Sequence, residues 1–340
     1  MKILVTGNKG YIGSVLTPLL LKNGHEVHGL DSNLYENSLF GDKNIAQVPT
    51  TLKDIREVKE QDVEGYDAVI HLAGLSNDPL GYLNESITMN INYKATVNLA
   101  KLSKKARVQR FIFSSTCSNY GDSGDQWIDE TGQVSPVTPY GRSKVAAEYE
   151  LLKLTSKDFC VTLPRSGTAY GFSPMLRFDL VLNNLVAWAF STGKVHLKSN
   201  GSPWRPIVHI EDISRAFISM LNAPMDEING EIFNIGSTKE NYQVRDIANI
   251  VKETVKDSQI SFADDAGPDV RCYKVNCDKL KNKLGFQTKW TAKKGAEEVY
   301  DNIKRIGLTL EEFEGPRYRR VDALKKAISE GILDQEFRRI

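Results

Sequence analysis

Charge of one sign is what this 340-residue chain lacks most plainly: 44 Lys and Arg stand against 43 Asp and Glu, a formal net charge of +1. With no basic field, nucleic acid and anionic membrane surfaces are excluded as partners. No apolar run approaches the ~18 residues that a membrane span requires. Cysteine is scarce and scattered (Cys117, Cys160, Cys272, Cys277), which excludes a disulfide scaffold. No second ligand pair follows Cys272 and Cys277, and the five histidines do not cluster in sequence, so no metal site is expected. His71 and His209 sit beside apolar strand residues and read as structural. The opening MKILVTG runs straight into glycine-rich sequence without a signal-peptide core, which gives a cytoplasmic expectation.

What is present is an ordinary globular composition, 41% hydrophobic and 26% charged. Single cores stop growing at roughly 250–300 residues, so 340 residues imply two packed regions. Short β-branched or aromatic runs at Lys2–Thr6, Glu26–Asp31, Ala68–Leu72, Phe111–Ser114 and Val161–Arg165 alternate with amphipathic stretches at Ile12–Asn23, Ile55–Gln61, Thr88–Lys105 and Tyr140–Ser156. That alternation predicts an α/β fold with a doubly wound parallel sheet. After about Tyr170 prolines break the rhythm, while Pro206–Leu221 and Glu231–Gly236 read as strand–helix and strand again. The expected organisation is therefore a first domain over 1–172, rejoined by 206–237, with a smaller α/β domain intercalated over 173–205 and 238–310. The charged tail 311–340 reads as a solvated terminal helix without a role.

Gly7, Gly10 and Gly13 form a GxxGxxG loop directly after the first strand and at the start of the first helix. Chemistry needs glycine there because the backbone must turn tightly and approach a pyrophosphate, which the helix N-terminus then favours. Asp31, 18 residues beyond Gly13, closes the second strand. A carboxylate at that point accepts ribose hydroxyls and repels a 2′-phosphate, selecting NAD over NADP. Asp54 and Ile55 are candidates for the adenine, although an Asp before a helix is equally an N-cap.

Tyr140 and Lys144 fall at i and i+4 on one helical face, and Ser114-Ser115-Thr116 follows the strand run that begins at Phe111. Oxidation of an alcohol needs a base, and a tyrosine serving as phenolate near neutrality costs ~4 kcal/mol. Lys144 and an oxidised nicotinamide supply the compensating positive charge. Thr116 is placed to hold the reacting oxygen.

The motifs TGNKGYIG (6–13), HLAGLS (71–76), SSTCSNYG (114–121), YGRSK (140–144), PRSGTAYG (164–171), NNL (183–185), WRPIVHIED (204–212) and AGPDVR (266–271) resemble, in combination and order, an extended short-chain dehydrogenase/reductase of the nucleotide-sugar epimerase/dehydratase family. The resemblance spans the chain to about residue 300. It implies a Rossmann domain holding NAD and a smaller domain holding a nucleoside-diphosphate sugar. By position it assigns Tyr140 as the base, Lys144 as its partner and Thr116 as the usual Ser/Thr. The cofactor would meet Gly7, Gly10, Tyr11, Ile12, Gly13, Asp31, Asp54, Ile55, Leu72, Ala73, Gly74, Ser114 and Tyr170. The substrate would meet Ser76, Thr116, Thr168, Asn184, Leu185, Arg205 and Asp269. Ala266 replaces a family arginine, for which Arg271 is a candidate substitute.

The departures from the family pattern narrow the reaction. Dehydratases place an Asp-Glu pair after the strand-end threonine, where this chain has Cys117-Ser118; decarboxylases place a Glu at the position of Ser118; double epimerases place a Cys at that of Asn119. C4 oxidation and reduction remains, with a 4-epimerase as the first expectation, although Thr168 stands where plain 4-epimerases commonly carry Asn. A C4 dehydrogenase releasing a keto product is the alternative, and a catalytically inactive NAD-sensing regulator is a rival of another class. Cys117 is either an additional acid/base or a buried thiol. Arg177 and Asp179 either read sugar hydroxyls or a carboxylate, or pair with each other. The family further implies a homodimer packed through Thr88–Lys105 and Tyr140–Ser156.

Overall fold

The computed structural model of the chain describes residues 1–41, 46–264 and 271–340. At its centre lies a sheet ordered Glu231–Ile235, Cys160–Ser166, Arg110–Phe113, Ala68–His71, Lys2–Thr6, Glu26–Asp31 and Thr50–Leu52, with Ser115–Thr116 beside Cys160–Ser166. Every pairing in it is parallel. This is the Rossmann-type sheet that the alternating runs predict.

Both faces of the sheet are covered, which explains why its strands are apolar throughout rather than alternating with polar residues. Ile3, Val5, Ile70 and Ile112 pack with Leu16, Leu20 and Phe217 on one face. Leu4, Val69, Phe111 and Phe113 pack with Leu99, Ala147 and Leu151 on the other. Strand order reverses at Lys2–Thr6, which has Glu26–Asp31 on one side and Ala68–His71 on the other. A crevice opens beyond the carboxyl ends of strands at such a switch point.

Three helices, Val181–Thr192, Val244–Thr254 and Ala292–Ile306, surround a separate core that includes Leu182, Val186, Ile247, Val251, Ala296 and Val299. The strand Trp204–His209 does not rejoin the main sheet. It pairs in parallel with Thr168–Tyr170 and antiparallel with Asn241–Gln243. What returns to the sheet is the following helix, Ile210–Asn222, through Ile213 and Phe217, and then the edge strand Glu231–Ile235.

Three expectations are corrected. Ile55–Gln61 is not a helix but two 3₁₀ turns, Ile55–Glu57 and Glu60–Asp62, because the Asp54 and Asp62 carboxylates take the Arg56 and Lys59 amides locally. The stretch Thr88–Lys105 contains a π-helical segment, Asn90–Ala95, where Asn92 turns its side chain to the Leu75 backbone at 2.8 and 2.9 Å. The tail is not solvated: Phe313, Tyr318, Arg320, Leu324, Leu333 and Phe337 are all buried. Its helices, Leu310–Glu314 and Arg320–Ser329, fold back on the molecule because their apolar residues complete the two cores. Among the described residues no helix is long and apolar enough to cross a membrane.

Candidate active site

Two adjoining clefts lie over the carboxyl ends of the strands. The first is lined by the loop from Gly7 to Gly13, by Asp31 to Tyr35, by Asp54 and Ile55, and by Leu72 to Ser76. Gly7 has φ +75°, and a Cβ there would stand 2.8 Å from the Ala73 amide nitrogen. A Cβ on Gly13 would lie 2.2 Å from the Gly7 carbonyl oxygen. The loop therefore folds only with glycine at these points, and it leaves a backbone cradle in front of the helix Gly13–Lys22. Asp31 accepts from the Lys9 amide at 2.9 Å and the Asn33 amide at 2.7 Å. Burial raises its carboxyl above the usual range, against the pull of those two bonds. The cradle, with a carboxylate at the end of the second strand, fits a dinucleotide. Asp54 lines the same cleft, but Arg56 engages it bidentately.

Thr138 caps the helix Pro139–Leu152: its Oγ1 accepts from the Gly141 amide at 3.1 Å, and Pro139 opens the first turn. Tyr140 and Lys144 are thereby set on one face near its start. Both line the second cleft with Ser114, Thr116 and Ser118. Lys144 Nζ donates to the Ser114 carbonyl at 2.8 Å and lies 4.5 Å from the Phe113 ring centroid. Burial pulls the ammonium down to about 8, with Glu148 opposing. Burial likewise pushes the Tyr140 phenol well above its ordinary value, and Asp78 adds to the rise. Arg177 and a hydrogen bond with Thr116 act in the other direction. Arg177 is thus a positive charge acting on Tyr140 that was not expected from the sequence, beside Lys144, whose Nζ lies 5.9 Å from the Tyr140 ring centroid.

Behind these groups Glu148 accepts from Arg165 at 2.9 and 2.6 Å, from Asn119 at 2.9 Å and from the Ser115 hydroxyl. All four are buried. Glu148 thereby anchors the helix of Tyr140 and Lys144 to the strand Cys160–Ser166 through Arg165 and to the strand end that carries Thr116 through Ser115. Cys117 is 1% exposed and donates to the Arg165 carbonyl, and burial holds its thiol far above the usual range. The buried-thiol reading is the one that stands.

Further along the second cleft lie Ser76, Thr168, Asn184, Leu185, Arg205 and Arg271. Arg205 donates to the Trp204 carbonyl at 2.7 Å and to the Arg271 carbonyl, and sits over the Tyr273 ring. Arg271 pairs with Asp78. Asn184 donates to the Phe178 carbonyl at 2.7 Å. Arg177 forms the internal pair, donating to Asp179 at 3.0 and 2.6 Å while reaching Ser76 Oγ at 3.1 Å. Although Arg177 is buried, the exposed Asp179 holds it charged, and Arg177 holds Asp179 below the usual carboxylate range.

Some expected site residues are not brought in. Tyr170 lines neither cleft; it is 1% exposed, packed edge-on against His209 and over Gly295. Asp269 lies outside the described residues. His71 bridges Thr6 and Thr96 at 2.6 and 2.8 Å and is held neutral by burial, and His209 pairs with Glu298 and stacks on Trp290. Conversely, the clefts are also lined by Lys9, Tyr35, Ser166, Tyr273 and Arg320. Ser166 sits within the PRSGTAYG motif and Lys9 within the glycine loop, so both carried a signal. Arg320 had none, being one charge in a charge-rich tail.

The sequence pattern of a family described as the NAD dependent epimerase/dehydratase family matches residues 3–236. The UDP-glucose 4-epimerase of Bacillus subtilis (strain 168) is 28% identical over 330 residues, covering 88% of this chain and 94% of that protein. The human dTDP-D-glucose 4,6-dehydratase is 26% identical over 336 residues, covering 92% and 94%. The solved structure of MoeE5 in complex with UDP-glucuronic acid and NAD is similar in fold, with a TM-score of 0.79 at 23% identity, covering 90% of this chain and 99% of that one. With the glycine cradle, Asp31 and the Thr116–Tyr140–Lys144 group at one crevice, the chain belongs to the NAD dependent epimerase/dehydratase family, enzymes of the extended short-chain dehydrogenase/reductase type whose cofactor is NAD.

Proposed function

We propose that the chain is a cytoplasmic 4-epimerase of a nucleoside-diphosphate sugar. The observation that carries this reading is the neighbourhood of Thr116. Tyr140 shares its cleft, and the two residues after it bring no carboxyl group: Cys117 is turned to the Arg165 carbonyl and Ser118 faces the Tyr273 hydroxyl at 3.4 Å. Elimination of water needs an acid and a base at the neighbouring carbons, and this strand end supplies neither.

NAD, when bound, supplies the acceptor and donor of the C4 hydride. Tyr140 takes the proton of the 4-hydroxyl and later returns it, while Thr116 holds the same oxygen. In the free chain the phenol keeps its proton, so it becomes a base only when added positive charge joins that of Arg177. Lys144 orients the nicotinamide ribose, its position fixed by the Ser114 carbonyl. Arg205, Arg271, Asn184 and Leu185 hold the diphosphate, a task suited to planar, permanently charged forks. Thr168, Ser76 and Ser166 face the sugar. Ser166 Oγ is buried without a hydrogen-bond partner among the described residues, which suits it to a substrate hydroxyl. A homodimer through the helices ending at Lys105 and Leu152 belongs to the same reading; Tyr149, 69% exposed on the second, supports it.

The test is incubation with UDP-, dTDP-, GDP- and CDP-hexoses and resolution of the products by NMR. Conversion of one substrate and of its C4 epimer to the same equilibrium mixture is expected. If no substrate gives an epimer, the reading fails.

A further inference from the structure

The buried tail leaves one charge unaccounted for. Arg320 is 5% exposed, yet no carboxylate among the described residues lies within ion-pair distance of it. Its neighbour Arg319 is solvent-facing and pairs with Asp322. The Arg320 guanidinium lies 3.9 Å from the centroid of the Tyr35 ring and makes one long contact, 3.5 Å, with the Met175 carbonyl. A buried guanidinium without a counter-charge is costly unless an anion completes the site. A second atom beside it is equally unsatisfied: the Tyr35 hydroxyl is buried and has no hydrogen-bond partner among the described residues.

Both residues line the dinucleotide cleft, facing the space in front of the glycine cradle. Asp31, at the adenosine end, lines the same cleft as Arg320, and Arg177 and Arg320 both continue into the cleft that holds Tyr140. Because it lines both clefts, Arg320 stands toward their junction and away from the adenosine end, on the side where a dinucleotide carries its pyrophosphate. The rest of the tail holds it there. Arg317 donates to the carbonyls of Asn37 and Leu39, Arg339 donates to those of Ser32 and Asn33, and Arg338 pairs with Glu57. Phe337 closes the same wall.

We infer that Arg320, supported by Tyr35, is the protein's cation for the dinucleotide pyrophosphate, so that the C-terminal segment forms one wall of the cofactor site and retains the cofactor. This rests on the cleft being the NAD site. Arg320 also borders the second cleft, so the competing source of the same chemistry is the diphosphate of the sugar nucleotide.

The experiment titrates NAD, ADP-ribose, adenosine and UDP by calorimetry into the full chain freed of bound nucleotide. Wild type, Arg320→Met, Arg320→Lys and Arg319→Met are compared. Loss of a charge-assisted contact predicts that Arg320→Met weakens NAD and ADP-ribose by about 10- to 100-fold and adenosine by less than about twofold. Retained adenosine binding also shows that the variant is folded. Arg320→Lys should recover part of the loss, and Arg319→Met, whose residue does not line the dinucleotide cleft, should match wild type toward NAD and ADP-ribose. NAD affinity in Arg320→Met within about twofold of wild type overturns the inference, given the size expected of such a contact. Equal weakening of adenosine, or a loss confined to UDP, overturns it as well. A wild-type chain that binds neither NAD nor ADP-ribose would instead overturn the assignment of the cleft.

Discussion

The ammonium of Lys144 and the carbonyl of Ser114 meet at 2.8 Å, joining the helix Pro139–Leu152 to the strand end that presents Thr116. The lysine is 5% exposed, and burial lowers it to about 8. Its charge is therefore carried at a cost to stability. That cost is full below about 8, shrinks as pH rises, and is gone above the lysine's ordinary range, near ~10.4. Lys144→Met should accordingly be most favourable relative to wild type at neutral pH and lose that advantage toward pH ~10. Urea unfolding of both proteins across this range checks the sign; an advantage that grows with pH would contradict it.

Tyr140→Phe should lower turnover by about 10²- to 10⁴-fold, the usual contribution of a positioned acid–base group. Because the ring is kept, NAD binding should stay within about twofold of wild type, the phenol oxygen being only one contact among many. Steady-state rates beside a binding titration separate the two effects.

Glu148→Gln breaks a pair buried on both sides, with side chains 5% and 5% exposed. Removing one partner of such a pair costs about 3–5 kcal/mol. A loss of that order in chemical denaturation is expected, together with a fall in turnover as Thr116 and Tyr140 lose their common anchor.

Asp31→Ala should narrow the preference for NAD over NADP, because the carboxylate that repels a 2′-phosphate is removed. Parallel titrations with the two cofactors check this.

Cys117→Ala should leave turnover within about twofold of wild type, since a buried thiol held as a thiol is not a working acid or base. A large loss of turnover in a folded variant would restore Cys117 to the mechanism.

The sheet and the glycine loop were legible because they rest on local rules. Fully buried parallel strands must be apolar, and Gly7 and Gly13 occupy places no side chain can fill. Tyr140 and Lys144 were legible from helical spacing. The pair Arg177–Asp179 was left open because i, i+2 residues in an irregular segment have no fixed geometry. Tyr170 was misplaced for a related reason: its motif gives a position in the chain but not the direction in which a ring packs. The tail was misread because its charges dominate composition, whereas Phe313, Tyr318, Leu324 and Phe337 are spaced irregularly and find their partners far away in sequence. Asn92 and its π turn were invisible because the side-chain bond to Leu75 is a tertiary event.

The most direct test of redox-neutral C4 chemistry follows a substrate deuterated at C4 through the NAD-loaded enzyme by mass spectrometry and NMR. The account predicts a C4 epimer of unchanged mass that keeps its deuterium, with no accumulation of reduced nicotinamide. A product lighter by one water, or a keto product released with stoichiometric reduced cofactor, would contradict it.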